Sequence, residues 1–455
     1  MRLFPLILTM FCCVSGGPLG LEEVVSISGP TVALLMILIT PLIWALPVAL
    51  KTAELTSAIP EEGGYYVWVK RALGPFAGFL CAWWTWLYSI VDIALYPVLF
   101  AGYLGSLLTL MTGTNPVEGN PWLSWAIACS ILVVFTIVNV RGVREVGNTS
   151  IILTIVLMLP FVPMIFLGLK QMAVAGLPHF TDPGQVRPAA LGAGLYTVMW
   201  NYLGWDSLST IGGEVDRPER TFPRAIFWCM PAVMLVYFLT VFAGLAGTPN
   251  PEQWGESSWP LIAQNLGGPQ LGLAMNVAAL FSAGALFVAT LLANSRLPFV
   301  LANDGLFPAA LTKIHPKFGT PSRAIILCAV ICAFLCFKTF QDLLKVNVVL
   351  YGVALIPEGI ALLLLRKREP NLPRPYKIPG GWPVLWFIAV APILILVFAL
   401  LNDLQDAGLE VLNGQPGNAW LEGAKVQWLT WVALLSGPIA YPLLVRWRSR
   451  STPEA

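Results

Sequence analysis

Apolar runs long enough to cross a lipid bilayer follow one another along almost the whole chain. A helix of about 20 residues spans the roughly 30 Å of bilayer hydrocarbon. Hydrophobic residues make up 57% of the 455 residues and charged residues only 11%, whereas soluble domains carry about 25% charged residues. The sequence therefore predicts an all-α, multi-pass membrane protein with 12 transmembrane helices, at 3–28, 31–50, 74–110, 122–139, 147–170, 190–213, 224–246, 270–296, 322–338, 342–365, 383–402 and 427–446.

The basic residues predict how these helices are oriented, because Lys and Arg are enriched in cytoplasmic loops. With the N-terminus in the cytoplasm, 21 of the 26 Lys and Arg residues fall on the cytoplasmic side, Lys170, Arg187, Lys338 and Lys425 fall outside, and Lys345 lies near the outer end of the tenth helix. We therefore expect both termini in the cytoplasm and a lipid bilayer around the helices. The net charge of +2 gives no indication of nucleic-acid binding, and no obligate protein partner is expected.

Two of the predicted helices are interrupted near their middle. In the first, residues 15–20 (SGGPLG) separate two apolar stretches, and in the sixth, residues 199–206 (MWNYLGWD) place an amide, a glycine and a carboxylate within the span. An interruption exposes backbone polar groups to the membrane, which is tolerated only where they line a cavity or hold a ligand. The breaks therefore predict a transport site between helices 1 and 6.

Helices 1 and 6 also begin two successive groups of five predicted helices. Because five is an odd number of crossings, the second group must be inverted in the membrane relative to the first, as in transporters built from inverted repeats. The predicted organisation is a first inverted repeat at residues 1–170, a second at 190–365, and two peripheral helices, 11 and 12, at 383–446.

Carboxylates inside the predicted spans are the candidate functional groups, since each costs a few kcal/mol in the bilayer. The candidates are Glu22, Glu23, Asp92, Asp206 and Glu358. We expect no Lys or Arg near the membrane midplane to neutralise them. An unpaired acidic cavity favours a cationic substrate, a coupling proton, or both.

Asp92 has aromatic neighbours at helical spacing. Trp84, Tyr88 and Tyr96 lie at steps of four residues from it, which places all four side chains on one helix face. A carboxylate flanked by aromatic rings suits an alkylammonium group through charge pairing and cation–π contact. The alternative is an Asp that is hydrogen-bonded to a neighbouring helix beside an aromatic packing stripe.

The remaining carboxylates allow several roles. Glu358 shares a predicted face with Asn347 and Tyr351, and it could bind a second amine, carry a proton, or close a gate with a basic residue. Glu22 and Glu23 point to different faces, so at most one should face the pocket. Asp206 could bind substrate or hold its own unwound backbone.

Catalytic and metal-binding patterns are not found in the sequence. Cys328, Cys332 and Cys336 repeat every four residues within an apolar segment, a pattern typical of close helix packing. The sequence contains no spacing typical of a metal site, no nucleophile–base pair and no cofactor motif. We therefore expect no enzyme activity, no cofactor and no metal. A membrane enzyme, a sensor and a scaffold are the rival classes, and neither a sensor nor a scaffold would explain two broken helices.

Several longer strings resemble the amino acid–polyamine–organocation superfamily over nearly the whole chain. They are residues 60–65 (PEEGGY) with 72–76 (ALGPF), 303–308 (NDGLFP) and 315–321 (HPKFGTP). Within this superfamily the chain is most similar to the polyamine uptake transporters of plants and protozoa. That similarity lies in 15–18 (SGGP) with Gly20 and Glu22, in Asp92 with 94–100 (ALYPVLF), and in 205–207 (WDS), 209–210 (ST) and 213–215 (GEV); Glu358 matches an acidic position of that group.

The resemblance implies ten core helices in two inverted repeats plus two peripheral helices. It also implies a secondary transporter in the cell membrane that moves putrescine- or spermidine-like cations by alternating access, with protons as the coupling ion. Some amino acid–proton members carry a lysine in helix 5, but residues 148–159 contain none, so their coupling scheme does not transfer. A sodium site using Thr290 and Ser295 is the alternative for coupling.

An amino acid permease of the same fold, for neutral or cationic amino acids, is the alternative function. Amino acids need their carboxylate held, for example by helix N-termini at the breaks, whereas polyamines need spaced acids. Two or three unpaired acids facing the cavity would favour polyamines, and one would favour amino acids. The candidate substrate-binding residues are Ser15, Gly16, Gly17, Glu22, Tyr88, Asp92, Trp200, Asn201, Tyr202, Asp206, Tyr351 and Glu358; of these, Glu22, Asp92 and Glu358 are the candidates for proton coupling.

Overall fold

The architecture is helical throughout the part of the chain that the structure describes. This structure is a computed structural model, and it describes residues 3–61, 63–141, 156–177, 188–207, 209, 215, 217–248, 250–303, 305, 307–412 and 418–451. The helices are α1 (Leu3–Val14), α2 (Leu21–Ser28), α3 (Pro30–Ile43), α4 (Ala45–Ala58), α5 (Tyr65–Leu73), α6 (Pro75–Thr112), α7 (Pro121–Arg141), α8 (Phe161–Ala175), α9 (Pro188–Asn201), α10 (Pro218–Gly244), α11 (Trp259–Gly267), α12 (Pro269–Asn294), α13 (Arg296–Asn303), α14 (Ser322–Leu335), α15 (Phe340–Arg368), α16 (Gly381–Leu412) and α17 (Asn418–Ser451).

Nine stretches of these described residues are long and apolar enough to cross a membrane. They are Pro30–Ala58, Pro75–Thr112, Pro121–Arg141, Val156–Ala175, Arg220–Gly247, Pro269–Asn303, Phe340–Arg368, Gly381–Asn402 and Trp428–Arg446. Each coincides with one of the 12 predicted spans, and Ser322–Leu335 is a shorter apolar helix. The protein is therefore an all-helical, multi-pass membrane protein, as predicted.

Large apolar side chains cover the outside of the bundle. Phe166, Trp228, Phe281 and Leu394 are each more than 60% exposed. In water such a surface would be unstable, whereas in lipid it is the expected exterior. Polar side chains such as Thr52 are instead buried inside the bundle. The polar groups available for a functional site therefore lie in the interior.

The first predicted interruption is confirmed. Helix α1 ends at Val14 and α2 begins at Leu21. Between them Gly17 has a φ of 98° and Gly20 a φ of 83°, a left-handed conformation that favours glycine because it has no Cβ. The glycine-rich string thus ends one helix and redirects the chain into the next.

The second interruption is confirmed as far as the described residues extend. Helix α9 ends at Asn201, and Gly204 then adopts a φ of 87°. The tertiary contacts place α9 against α2, and α1 against α10. The two broken segments therefore lie side by side, and the second half of the sixth segment lies largely outside the described residues.

The long helix α6 forms the centre of the bundle, in contact with α12, α14 and α15. The contacts of Cys332 in α14 and of Cys336, the residue that follows α14, agree with the predicted packing role. The thiol of Cys332 donates to the carbonyl of Ile90 at 3.4 Å, and that of Cys336 to Ala94 at 3.9 Å. Small sulfur-bearing side chains let α14 approach α6 closely.

Candidate functional site

A cavity of about 230 Å³ lies between the two interruptions. The unwound backbone of the first segment forms one wall, the end of α9 forms the second, and α6 and α12 close the remainder. Its lining includes six of the predicted substrate-binding residues, namely Gly16, Gly17, Tyr88, Asp92, Trp200 and Asn201, together with Tyr96, Leu203, Gly204, Ser207, Ser282, Thr290 and Asn294. The broken helices therefore meet at a pocket, as the sequence predicted.

Asp92 brings the charge to this cavity. Its Oδ1 accepts a hydrogen bond from the indole N–H of Trp200 at 3.0 Å, and its Oδ2 accepts one from the hydroxyl of Tyr96 at 3.1 Å. Both donors are neutral, and within the described residues no Lys, Arg or His forms an ion pair with Asp92. The carboxylate is held in place by aromatic donors while its negative charge stays uncompensated.

The predicted aromatic stripe on α6 is only partly correct. Tyr88 and Tyr96 line the cavity with Asp92, but the indole N–H of Trp84 donates to the carbonyl of Leu434 on α17. A step of four residues turns the helix by about 400°, so each step drifts by about 40°. The drift accumulates along the helix and turns Trp84 away from the cavity.

Tyr351 and Asp206 lie behind the cavity wall and not in it. The ring of Tyr351 packs edge-on against Tyr88 with 5.0 Å between centroids, and its hydroxyl donates to Asp206 at 2.8 Å. The Asp206 carboxylate also accepts hydrogen bonds from backbone N–H groups, its own and that of Ser207. Of the two roles considered for Asp206, the contacts agree with holding the unwound backbone.

Three further predicted substrate-binding residues lie at or beside the cavity wall. Tyr202 donates its hydroxyl to the carbonyl of Ile37 at 3.0 Å, and Asn201 donates its amide to Thr197. Ser15 is fully buried beside the cavity and is not part of its lining. Tyr202 thus fixes the end of the sixth segment against α3 from behind the pocket, whereas Asn201 lines the pocket and bonds within its own helix.

The expectation that no basic residue neutralises the acids was wrong for Glu358. The ammonium Nζ of Lys51 lies 2.7 Å from Glu358 Oε2, with side chains only 4% and 1% exposed. The predicted span ends at residue 50, just before Lys51, whereas α4 continues to Ala58. Those additional two turns place Lys51 roughly 10 Å inside the helix end.

A second buried acid was missed altogether. Glu54, one turn along α4 from Lys51, is fully buried and accepts hydrogen bonds from the guanidinium of Arg366 on α15. Arg374 lies 3.4 Å from it, and the backbone N–H of Ile378 donates to it at 2.9 Å. A carboxylate and a lysine three residues apart in a mostly apolar helix was the available signal. The contacts of Glu54 with Arg366, Arg374 and Ile378 join α4 to α15 and to the segment that follows it.

Glu22 and Glu23 point in different directions, as predicted, and neither lines the cavity. Glu22 is fully buried, and its Oε1 accepts from the Tyr103 hydroxyl and the Ser257 backbone N–H, each at 3.0 Å. Glu23 accepts from the amide of Gln341 at 2.6 Å. Among the described residues, Asp92 is therefore the acid that lines the cavity.

The hydroxyls considered for a sodium site are used within their own helices. Thr290 donates to the carbonyl of Leu286 at 2.7 Å, and Ser295 donates to Leu292 at 3.1 Å. The described part of the chain contains no group of three His, Cys, Asp or Glu residues that could hold a metal ion. Residues 148–159, the stretch of predicted helix 5 that contains no lysine, lie mostly outside the described residues.

Comparison with known proteins agrees with this architecture. The profile of a family described as amino acid permease matches residues 7–414. The chain belongs to the amino acid permease family, so the superfamily resemblance expected from the sequence is confirmed.

Individual relatives give a finer comparison. A probable polyamine transporter of Arabidopsis thaliana is 35% identical over 90% of this chain and 81% of its own length. A polyamine transporter of Oryza sativa subsp. japonica is 34% identical over 94% and 79%. A branched-chain amino acid permease of Bacillus subtilis is 26% identical over 78% and 77%. Similarity is thus higher to these named polyamine transporters than to this named amino acid carrier.

Proposed function

We propose that this protein is a secondary active transporter of polyamines, coupled to protons, with Asp92 as the group that binds a substrate ammonium. One observation carries the proposal: Asp92 lines the cavity with its charge uncompensated by any described basic residue. An alkylammonium would supply the missing charge and would contact the rings of Tyr88, Tyr96 and Trp200. The names of the relatives of Arabidopsis and rice support this substrate class.

The surroundings of α2 argue against a substrate carboxylate at that helix end. Helix N-termini attract anions through their free N–H groups. The first turn of α2, however, already carries Glu22 and Glu23. Although neither side chain lines the cavity, an ionised carboxylate in this turn disfavours a substrate carboxylate at the same helix end.

An amino acid permease is the second candidate, and one observation favours it. Asp92 is the one acid among the described cavity-lining residues, and a single acid matches one amino group. Under this alternative the unwound backbone around Gly16 would hold the substrate carboxylate. The relative of Bacillus subtilis named as a branched-chain amino acid permease fits this possibility.

The proposed mechanism is alternating access through movement of the two broken segments. It assumes 12 transmembrane helices, two inverted five-helix repeats and two peripheral helices, in a cell membrane with both termini in the cytoplasm. Glu22, Asp92 and Glu358 are the proposed proton-coupling residues. The interruptions at Gly17 and Gly204 support it, since unwound segments at a central site are where such transporters bind substrate.

Uptake by proteoliposomes tests the substrate. Radiolabelled putrescine and leucine are offered to the wild type and to Asp92→Asn under an inward proton gradient. We expect putrescine uptake by the wild type and a fall of about 10- to 150-fold in Asp92→Asn, since a hydrogen bond to a charged group is worth about 1.5–3 kcal/mol.

Asp342→Asn is the matched control, because Asp342 is an acid in the first turn of α15, away from the cavity lining. It should leave uptake unchanged. Leucine uptake without putrescine uptake by the wild type would instead establish the amino acid permease. Wild-type putrescine uptake that survives Asp92→Asn would remove Asp92 from the binding site.

A further inference from the structure

Lys51 lies where two buried carboxylates can compete for it. We propose that Lys51 pairs with Glu358 when Glu358 is ionised and with Asp206 when Glu358 carries a proton, so that this trio holds the coupling proton. The inference rests on proton-coupled transport as proposed above. It assigns the proton to a cluster outside the substrate cavity and adds Lys51 to the residues required for coupling.

The geometry places the three groups together. Lys51 on α4 forms an ion pair of 2.7 Å with Glu358 on α15, and both side chains are almost fully buried. Asp206, in the turn after α9, is 2% exposed. It accepts the hydroxyl hydrogen bond of Tyr351, which lies two turns before Glu358 on α15, and it is within electrostatic range of Lys51 and Glu358. Three separate elements of the bundle thus contribute one charged group each.

The charges of this trio do not balance. Two ionised carboxylates and one ammonium leave one negative charge. Among the described residues, the other titratable groups that face the trio are neutral side chains: Tyr65 from α5, Cys81 and Tyr88 from α6, and Tyr351 from α15. An uncompensated charge in a protein interior costs several kcal/mol. Binding one proton removes that cost, so the cluster is a proton site by its composition.

The proton step can be written with all bonds accounted for. A proton binds to a carboxylate oxygen of Glu358, forming an O–H bond and removing the negative charge that holds Lys51. Lys51 keeps its three N–H bonds and its positive charge, and Asp206 is then the ionised carboxylate of the trio. Release of the proton from Glu358 restores the original pair.

A change of the Lys51 partner would affect the wall of the substrate cavity through two short connections. Asp206 accepts the hydroxyl hydrogen bond of Tyr351, whose ring packs against the cavity residue Tyr88. Along the chain, Asp206 lies between Gly204 and Ser207, which both line the cavity. An ammonium arriving at Asp206 competes with Tyr351 for that carboxylate. The occupancy of the proton site and the shape of the cavity wall are thereby linked.

Comparison of driven uptake with exchange tests the proposal. Proteoliposomes containing Glu358→Gln are assayed for putrescine accumulation under an imposed pH gradient, and for exchange of external against internal putrescine without a gradient. A dye that reports internal pH follows proton movement on putrescine addition. We expect exchange within about threefold of the wild type (less than about 0.7 kcal/mol). We also expect accumulation and the proton signal to be lost.

Two further variants make the result decisive. Glu369→Gln removes an acid of an exposed ion pair with Arg71 and should leave exchange and accumulation unchanged. Lys51→Met/Glu358→Leu removes both charges together, which avoids a lone buried charge if the single variant fails to fold. This double variant should also exchange putrescine without accumulating it. Folding is checked for each variant by size-exclusion chromatography.

Each result has one meaning for the proposal. If Glu358→Gln or Lys51→Met/Glu358→Leu accumulates putrescine to the same internal-to-external ratio as the wild type, the proposal is overturned. Lys51 and Glu358 would then be a structural pair. Loss of exchange in a folded double variant would also overturn the proposal, because the pair would then belong to translocation itself. Wild-type uptake of putrescine that moves no protons would refute the coupling site while leaving polyamine transport intact. Absence of wild-type putrescine uptake would instead refute the proposed function.

Discussion

Asp92 and Glu358 are both acids within long transmembrane helices, yet their surroundings differ in one decisive respect. Within the described part of the chain, Asp92 accepts hydrogen bonds from the neutral groups of Trp200 and Tyr96 and has no basic partner. Glu358 is paired with the ammonium of Lys51 and is almost fully buried. Asp92 keeps a charge that a ligand from outside can neutralise, whereas the charge of Glu358 is neutralised from within the protein.

This difference separates two tasks that the sequence could not separate. A carboxylate that lines a cavity without an internal cation can bind a substrate cation and release it again. A carboxylate with an internal cation exchanges its partner only when its own protonation changes. The same residue type therefore serves recognition in one helix and, under our proposal, coupling in the other.

Removing the lysine alone should have the largest effect on stability. Lys51→Met leaves Glu358 buried beside Asp206 without a cation, and we expect the protein to lose about 3–5 kcal/mol. Lys51→Met/Glu358→Leu removes both charges and should recover most of the loss. Thermal unfolding of the purified variants in detergent measures both effects.

The exposed pair of Arg71 and Glu369 provides the control for that experiment. Their side chains are 40% and 31% exposed, and such pairs contribute about 0–1 kcal/mol. Arg71→Met should therefore change the melting temperature little. An equally small change in Lys51→Met would show that water reaches Glu358, and the contrast with Asp92 would then disappear.

The hydrogen bonds to Asp92 should have an intermediate effect that appears in transport. Trp200→Phe keeps an aromatic ring in the cavity wall but removes the indole N–H that donates to Asp92. A hydrogen bond to a charged group is worth about 1.5–3 kcal/mol, and the remaining donor from Tyr96 retains part of that orientation. We expect the KM for putrescine to rise by about 10-fold, as measured by initial rates of uptake.

Trp84→Phe is the matched substitution on the same helix. Its indole N–H donates to the carbonyl of Leu434, outside the cavity. It should leave the KM unchanged. Equal effects of the two substitutions would mean that the indole groups act through packing and not through Asp92.

Much of the fold could be predicted from local sequence signals. Apolar runs and glycine-rich interruptions act within one segment, so the helical spans and the break at residues 15–20 followed from the sequence alone. Side-chain direction over a few turns was also predictable, which brought Tyr88, Asp92 and Tyr96 to one cavity. The same argument failed for Trp84 because the helical drift accumulates over longer distances.

The partners of the buried acids could not be predicted in the same way. Lys51 and Glu358 are 307 residues apart in the sequence, and their contact depends on how α4 packs against α15. Glu22 likewise meets Tyr103 and Ser257 from distant elements. The sequence showed which residues carry charge, whereas tertiary packing decides which charges are compensated.

An acid outside the spanning helices, Glu256, extends the comparison of Asp92 with Glu358. Its substitution should have the smallest effect on stability. Glu256 lies in the connection before α11, outside the spanning helices and near Glu22 and Glu23. The side chain of Glu256 is exposed, but partial desolvation by its neighbours, and then repulsion by Glu23 and Glu22, raise its pKa to about 8. Glu256 therefore binds its proton up to a higher pH than an ordinary glutamate does.

The sign of its pH dependence follows from linkage. Between the unperturbed value near 4.5 and about 8, the folded protein binds a proton that the unfolded chain has released. Stability therefore falls as the pH rises through this range and levels off above it. Glu256→Gln should flatten the decline of the melting temperature between pH 6 and 9 (a range of about three pH units). Glu252→Gln, in the exposed turn just before it, should not. If the melting temperature declines with the same slope in the wild type, Glu256→Gln and Glu252→Gln, the pH dependence belongs to the buried acids. Glu256 would then be an ordinary surface carboxylate.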